Sequence, residues 1–136
     1  MSARGDKGAL QPGRWHHLAG VFDGKEVRLY LDGQLVSKSA GSGKRTRNGH
    51  PLYIGADPDR RGRPVSFFRG KVDDVRISRV ARYTADFEPG RRHEADRDTV
   101  LLLPLDVDFG PWTADASFRK THARRRGDAR CVTSDR

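Results

Sequence analysis

The sequence predicts an all-β, antiparallel fold, and three observations predict it. Apolar and polar residues alternate over short runs, most cleanly in E-V-R-L-Y-L at positions 26–31, which is the period of a half-buried strand. Asp-Gly pairs at 23–24 and 32–33 separate such runs, and this pair is a strong hairpin-turn signal. No stretch sustains the i, i+3, i+4 spacing of a long helix.

Residues 1–13 read as a lead-in closed by Gln11, Pro12 and Gly13. Residues 15–22 are rich in aromatic and aliphatic side chains and predict a strand. Asp23-Gly24 is a tight turn. In the next strand Val27, Leu29 and Leu31 face one way, Arg28 and Tyr30 the other. Asp32-Gly33 is the second turn, and residues 34–37 begin a third strand, completing a meander. Residues 38–50 are mostly Lys, Ser, Gly, Arg and Asn and predict a mobile loop. A short strand follows at 52–56 and a loop at 57–64. Residues 67–78 predict a long strand whose parity changes, since Val72 is out of phase with Val75 and Ile77; a bulge near Asp73-Asp74 repairs the slip. Residues 78–87 predict one helical turn or an irregular crossover, and 89–98 a polar linker. The run Val100 to Leu105 suits a buried strand that stops at Pro104 or lies at an edge. Beyond Trp112 large apolar residues are few, so the tail is expected to add little to the core.

With 136 residues the chain is long enough for one domain. Its 35% hydrophobic content and mean hydropathy of -0.80 describe a polar chain. No apolar run approaches the ~20 residues of a spanning helix. The start, M-S-A-R-G-D-K, has no apolar segment of the signal-peptide kind. The single cysteine, Cys131, excludes an internal disulfide and reads as a surface thiol or a small apolar residue. Net charge is +9, which favours an acidic partner. The 27 basic residues are spread along the chain, and three local runs stand out: Lys38, Lys44, Arg45 and Arg47; Arg60, Arg61 and Arg63; and Arg119, Lys120, Arg124, Arg125, Arg126 and Arg130. The preference for arginine over lysine is read as codon bias of a GC-rich genome rather than as a set of phosphate ligands.

Four blocks carry a family resemblance. They are G-R-W-H-H-L-A-G-V-F-D-G, V-R-L-Y-L-D-G-Q-L-V, P-L-Y-I-G-A and F-R-G-K-V-D-D-V-R-I-S, in that order between Gly13 and Ser78. They resemble the second half of a laminin-G-like, concanavalin A-like jelly roll, and S-R-V-A-R-Y-T-A-D-F-E-P resembles the closing segment of one subgroup. The resemblance implies an antiparallel β-sandwich, incomplete on its N-terminal side because residues 1–13 hold no counterpart of the family's first strands. The implied organisation is a lead-in at 1–13, a partial jelly roll at 14–106 and a basic, poorly ordered tail at 107–136. T-V-L-L-L-P-L-D-V-D-F-G-P-W-T-A-D-A-S looks like the opening strand of a further domain of the same type. The family implies a secreted or cell-surface setting.

The same fold hosts glycoside hydrolases, whose retaining members set two carboxylates about 5–5.5 Å apart. The nearest match to such a pattern, Glu94-Ala95-Asp96-Arg97-Asp98-Thr99, has Thr99 in place of the third acid and reads as a solvated turn. Asp73 and Asp74 read as fold-defining: one bonds a bulge or loop amide and the other is exposed. Some relatives bind calcium at the rim, and Asp57 and Asp59 are the weak candidates for it. Arg60, Arg61 and Arg63 crowd that loop and oppose a cation, so a turn-forming role is favoured and no cofactor is expected. His16 and His17 point to opposite faces of an extended segment, while His50, His93 and His122 lack ligand spacing. G-S-G-K-R lacks the spacing of a phosphate loop.

The expected function is therefore a non-catalytic binding or adhesion module. Its ligand would be a glycan or a protein held by rim loops at 38–50 and 57–66, with Arg45, Arg47, Arg60, Arg61 and Arg63 as contacts. Two alternatives stand beside it: a truncated structural domain without its own activity, and a polyanion or nucleic-acid binder acting through the Arg-rich tail. Nucleic acid is disfavoured because no stacking aromatics group with the basic runs. Membrane insertion is not expected. Open sheet edges would invite dimerisation.

Overall fold

The structure, a computed structural model, describes residues 10–41 and 49–132. All its regular elements are short antiparallel strands, and no helix forms among the described residues. The first three strands are β1 (Leu18–Phe22), β2 (Glu26–Leu31) and β3 (Gln34–Ala40), a meander in the order β1-β2-β3. The first Asp-Gly pair closes the register Phe22↔Val27 and the second closes Leu31↔Gln34. Asp23 accepts the amides of Glu26 and Lys25, each at 2.8 Å, and the Arg28 guanidinium at 2.6 Å. These bonds, led by the one from Glu26, lower its pKa to about 2. Lys38, Ser39 and Ala40, expected in a loop, continue β3 opposite Arg28, Val27 and Glu26. The backbone ladder does not require apolar side chains on an outer strand, so its polar composition concealed it.

The second Asp-Gly turn does more than reverse the chain. Asp32 and Gly33 both hold positive φ, 50° and 82°. The Asp32 carboxylate accepts the His17 amide on Oδ1 at 2.8 Å and pairs with His16 Nδ1 through Oδ2 at 2.7 Å. The Asp32 amide donates back to the His17 carbonyl at 2.8 Å. Gln11 N–H donates to His16 Nε2 at 3.0 Å, so in the neutral ring the proton sits on Nδ1 and is donated to Asp32. His16 and His17 therefore bond the turn instead of joining the ladder, and β1 starts at Leu18, later than the sequence predicts. Gly33 accepts the Phe87 amide at 2.9 Å, and Asp86 accepts the Leu35 amide at 2.8 Å. Segment 86–89 thus lies directly on the turn.

Two expectations in the middle of the chain are exchanged. Residues 52–56 form no strand, and the regular pairing lies within the predicted loop, between β4 (Asp57–Pro58) and β5 (Pro64–Val65). Asp59 makes this hairpin by accepting the amides of Arg61 and Arg63, each at 2.8 Å. The long strand predicted over 67–78 is reduced to β6 (Val75–Ser78), which pairs with β7 (Thr99–Leu103). Asp74, at φ 52°, immediately precedes β6, and residues 67–73 before it form no strand, so the phase slip is a break rather than a bulge. Residues 79–98 form an irregular crossover, and β7 stops before Pro104 as expected.

The core sits where this crossover meets the meander. Tyr30 is 0% exposed, so the Arg28/Tyr30 side of β2 is the side that carries the core contact. Its ring meets Tyr83 and Phe87 edge-on, with centroids at 6.0 and 5.4 Å, and those two rings stack at 3.6 Å. Tyr30 Oη donates to the Tyr83 carbonyl at 3.4 Å, while the Arg76 guanidinium donates to Tyr83 Oη at 3.1 Å. Tyr83 thereby joins the meander to the β6–β7 sheet. Val21, Leu102 and Leu103 complete the buried apolar set, whereas Leu52, Phe67, Phe68 and Phe118 are exposed.

The last pair is β8 (Trp112–Thr113) with β9 (Ala123–Arg124). Apolar burial here is slight, as the composition implies. The segment is nevertheless anchored, because Thr113, Asp115 and Ser117 are buried polar residues. A side chain at position 33 would place Cβ 1.8 Å from the Phe87 carbonyl oxygen, whereas Gly24, at φ 97°, faces open space. Gly33→Ala should therefore cost on the order of 3 kcal/mol through backbone overlap plus positive φ, and Gly24→Ala about 1 kcal/mol through φ alone. Urea midpoints of the two variants check this; equal losses would contradict the docking of segment 86–89.

Candidate functional site

An open groove of 1480 Å³ lies between β1 and residues 68–82. Trp15, Leu18, Val72 and Val75 supply apolar wall. The charged lining is Arg14, Arg69, Lys71, Arg76, Arg79, Arg82 and Arg91 against Asp73 and Asp74. Two of these cations are held by acids of the crossover. Arg82 forks onto Asp96, with Nη1 to Oδ2 at 2.9 Å and Nη2 to Oδ1 at 2.6 Å, and Arg79 bonds Asp98 at 2.9 Å. Arg14 donates to the Gln11 side chain, and the Arg69 side chain is exposed. Both β1 and β6 line the groove, and among the described residues each has a single strand neighbour.

The sequence-predicted contacts sit apart from one another. Arg45 and Arg47 lie outside the described residues. Arg60, Arg61 and Arg63 are exposed on the loop between β4 and β5. Arg63 bonds Asp59 through Nε at 3.0 Å, while Arg60 and Arg61 make no ion pair among the described residues. Asp57 is exposed in β4. Asp59 holds two amides and a guanidinium; the bond from Arg63 N–H leads, burial opposes it, and the carboxyl lies below its ordinary pKa. Its oxygens face donors of its own loop, which is what a turn former requires. Among the described residues no cluster of three or more His, Cys, Asp or Glu is arranged to hold a metal.

Asp74 and Asp96 have structural partners too. Asp74 is buried and accepts the His93 amide at 2.8 Å. Asp96, from the Glu94–Asp98 stretch, is the hub of its turn: it is bonded by Arg82, by Thr99 Oγ1 at 2.8 Å and by the Asp98 amide. The Arg82 bond foremost holds its carboxyl far below the usual range. The fold also brings together residues that the sequence left apart. His17 and His93 rings meet edge-on at 5.7 Å, and His17 meets Phe87 at 5.5 Å. Sequence spacing held no signal for this, because the crossover creates it.

Asp115, Ser117 and His122 also converge, and their bonding decides what they do. Asp115 Oδ1 accepts the amides of Leu102 at 2.9 Å and Ser117 at 2.8 Å; Oδ2 accepts Ser117 Oγ–H and the Thr121 amide, each at 2.8 Å. His122 Nδ1 accepts the Asp115 amide at 3.1 Å. The serine hydroxyl is thus directed at the carboxylate rather than at the imidazole, and a nucleophile needs the reverse. With Ala116 N–H donating to the Leu102 carbonyl at 2.7 Å, this knot covers the outer edge of β7.

Short antiparallel sheets joined through a packed crossover, with an open concave face, define a jelly-roll-type module of the kind that commonly binds ligands. Residues 2–86 match the laminin-G-type family described as the concanavalin A-like lectin/glucanases superfamily, and the chain belongs to this family. No curated protein and no solved structure matches it. No helix among the described residues is long and apolar enough to cross a membrane.

Burial pushes the Asp115 carboxyl up, but the bonds from Leu102, Ser117 and Thr121 outweigh it and hold the group below its ordinary value of 3.8. A carboxyl lowered by folding stabilises the fold above its unfolded-state pKa and loses that contribution as pH falls through the folded-state value. Asp115→Asn turns an acceptor oxygen into a donor facing Thr121 N–H and should cost about 2 to 3 kcal/mol at neutral pH. Its stability should also fall less steeply below about pH 4 than that of the parent chain. Thermal melts across the acid range check both; parallel curves would show that Asp115 does not carry the knot.

Proposed function

We propose that the chain is a non-catalytic binding module for an acidic glycan. The ligand lies in the groove beside β1 and contacts Arg69, and the exposed Arg60, Arg61 and Arg63 of the β4–β5 loop add positive charge outside the groove lining. The observation that carries this reading is the groove's lining, with Arg14, Arg69, Lys71, Arg76, Arg79, Arg82 and Arg91 set against Asp73 and Asp74. The bonding of the acids supports it: Asp32, Asp59, Asp74, Asp96 and Asp115 each hold backbone amides or guanidinium groups. A superfamily that includes lectins supports a sugar ligand. Nothing in the reading needs a cofactor or calcium.

The test is binding of the purified chain to polygalacturonate and to neutral galactan. Polygalacturonate should bind and galactan should not. Affinity should fall steeply between about 50 and about 200 mM salt, as for other contacts with a polyanion. Arg69→Ser combined with Arg60→Ser and Arg61→Ser should weaken binding about tenfold or more. Equal binding to the neutral polymer, or release of shorter sugars from either, would end the proposal.

One observation favours a second reading, self-association through β1. That strand, Leu-Ala-Gly-Val-Phe, carries no charge or proline, and among the described residues its outer side is unpaired. Edges of this kind lack the usual protection against pairing. Light scattering should then show a dimer that strengthens with salt, as screening of the +9 charge predicts, and Ala19→Lys should return it to monomer. A monomer at every concentration and salt would exclude it. The opposite salt dependence separates the two readings.

A further inference from the structure

The tail holds an exposed row of side chains that the groove does not include. In D-F-G-P-W, Gly110 takes φ 66° and is followed by Pro111, so the two residues turn the chain and leave Phe109 bridged to Trp112. Trp112 is in turn paired with Arg124 across β8 and β9. Residues paired across an antiparallel ladder project to the same side, about 5 Å from their neighbours. Phe109, Trp112 and Arg124 therefore stand side by side. Phe109 is 53% exposed and Trp112 50%, and Arg124 is exposed as well.

The row is held from beneath. Thr113 is buried and paired with Ala123, the Arg125 amide donates to the Pro111 carbonyl at 2.8 Å, and the Asp115 knot begins two residues after Thr113. Its charge is also distinctive. Arg125 is bonded to Asp108, whereas Arg124 has no carboxylate partner among the described residues. The Arg124 guanidinium lies 5.8 Å from the centre of the Trp112 ring, within cation–π range. Contact with the ring leaves the edge of the guanidinium with N–H donors to offer.

We propose that Phe109, Trp112 and Arg124 form a docking platform for the uronic-acid residues of an acidic glycan. This rests on the acidic-glycan reading above and adds a second, separate contact surface. A pyranose ring presents a face of C–H groups that packs on an exposed aromatic ring, burying area on both. A carboxylate on the same sugar meets the fork of the Arg124 guanidinium, a planar two-bond fit. A neutral sugar uses the rings and leaves the cation unanswered; a small inorganic anion uses the cation and leaves the rings exposed. A uronate satisfies both at once.

The chain has two tryptophans, Trp15 lining the groove and Trp112 on the row. Labelled with 5-fluorotryptophan, it gives one fluorine resonance for each, assigned with Trp112→Phe. Tetragalacturonate is the probe and neutral tetragalactose the control. The expected result is a saturable shift of the Trp112 resonance with the uronide, and an affinity read from that resonance that falls about tenfold in Arg124→Gln. Fluorine and circular dichroism spectra of the free variant show whether it is folded, and Arg124→Lys, which keeps the charge but not the fork, should recover only part of the loss. A shift confined to Trp15 overturns the platform and leaves the groove reading standing. No shift at either overturns both. An unchanged Trp112 response in Arg124→Gln, or an equal response to tetragalactose, overturns the uronate assignment. Tighter binding of an oligothymidylate with the same Trp112 dependence overturns it in favour of single-stranded nucleic acid.

Discussion

The corner at Asp32-Gly33 is the constraint from which the rest of the fold follows. Its carboxylate fixes the entry to β1 through His16 and His17, and its backbone reverses β2 into β3. Its missing side chain lets segment 86–89 lie on the turn. That contact places Phe87 and Tyr83 against Tyr30, and Tyr83 in turn reaches Arg76 in the second sheet. A small apolar core is sufficient because these polar bonds fix its geometry. A buried Tyr or Asp without partners would be costly, whereas the satisfied bonds give the fold its specificity.

Carboxylates are the fasteners of this molecule. Asp23 and Asp59 close turns by each accepting two amides of the turn that follows, Asp96 fastens the crossover to β7, and Asp115 closes the outer edge of β7. This division of labour has a functional consequence. Acids that hold several amides have depressed pKa values and stay ionised at neutral pH, so they make poor proton donors. Exposed arginines on the β4–β5 loop, in the groove and on the tail remain open to solvent. That exposed positive surface is what the proposed acidic-glycan reading rests on.

Local chemistry explains which elements were legible. The two Asp-Gly turns and the alternation between them are short-range signals, and both hairpins and the bounds of β2 follow from them, while the start of β1 and the end of β3 do not. The stop before Pro104 is equally local. The hairpin at 57–65 was hidden because its strands contain Pro58 and Pro64 and because the Asp59 side chain, not strand propensity, makes the turn. The break at Asp74 was half visible as a phase slip, but only the positive φ and the bond from His93 show that the strand begins after it. Of the candidate contacts, the turn role of Asp59 could be read from its neighbours, while the exposed row at Phe109, Trp112 and Arg124 required the pairing of β8 with β9. The Gly-Pro turn between two aromatics was its one sequence-level trace.

By itself the sequence determined that this chain is antiparallel β, that it belongs with the laminin-G-like, concanavalin A-like domains, and that it carries strong positive charge. These properties reside in alternation, turn residues and composition, which act over a few neighbouring residues. Tertiary structure alone decided which side of β2 is buried, that the crossover supplies the ring stack joining the sheets, and which arginines are neutralised and which face solvent. Those outcomes depend on contacts between residues some fifty positions apart, such as Tyr30 with Tyr83 and Leu35 with Asp86. No local pattern encodes them, because each partner is chosen by where the chain returns.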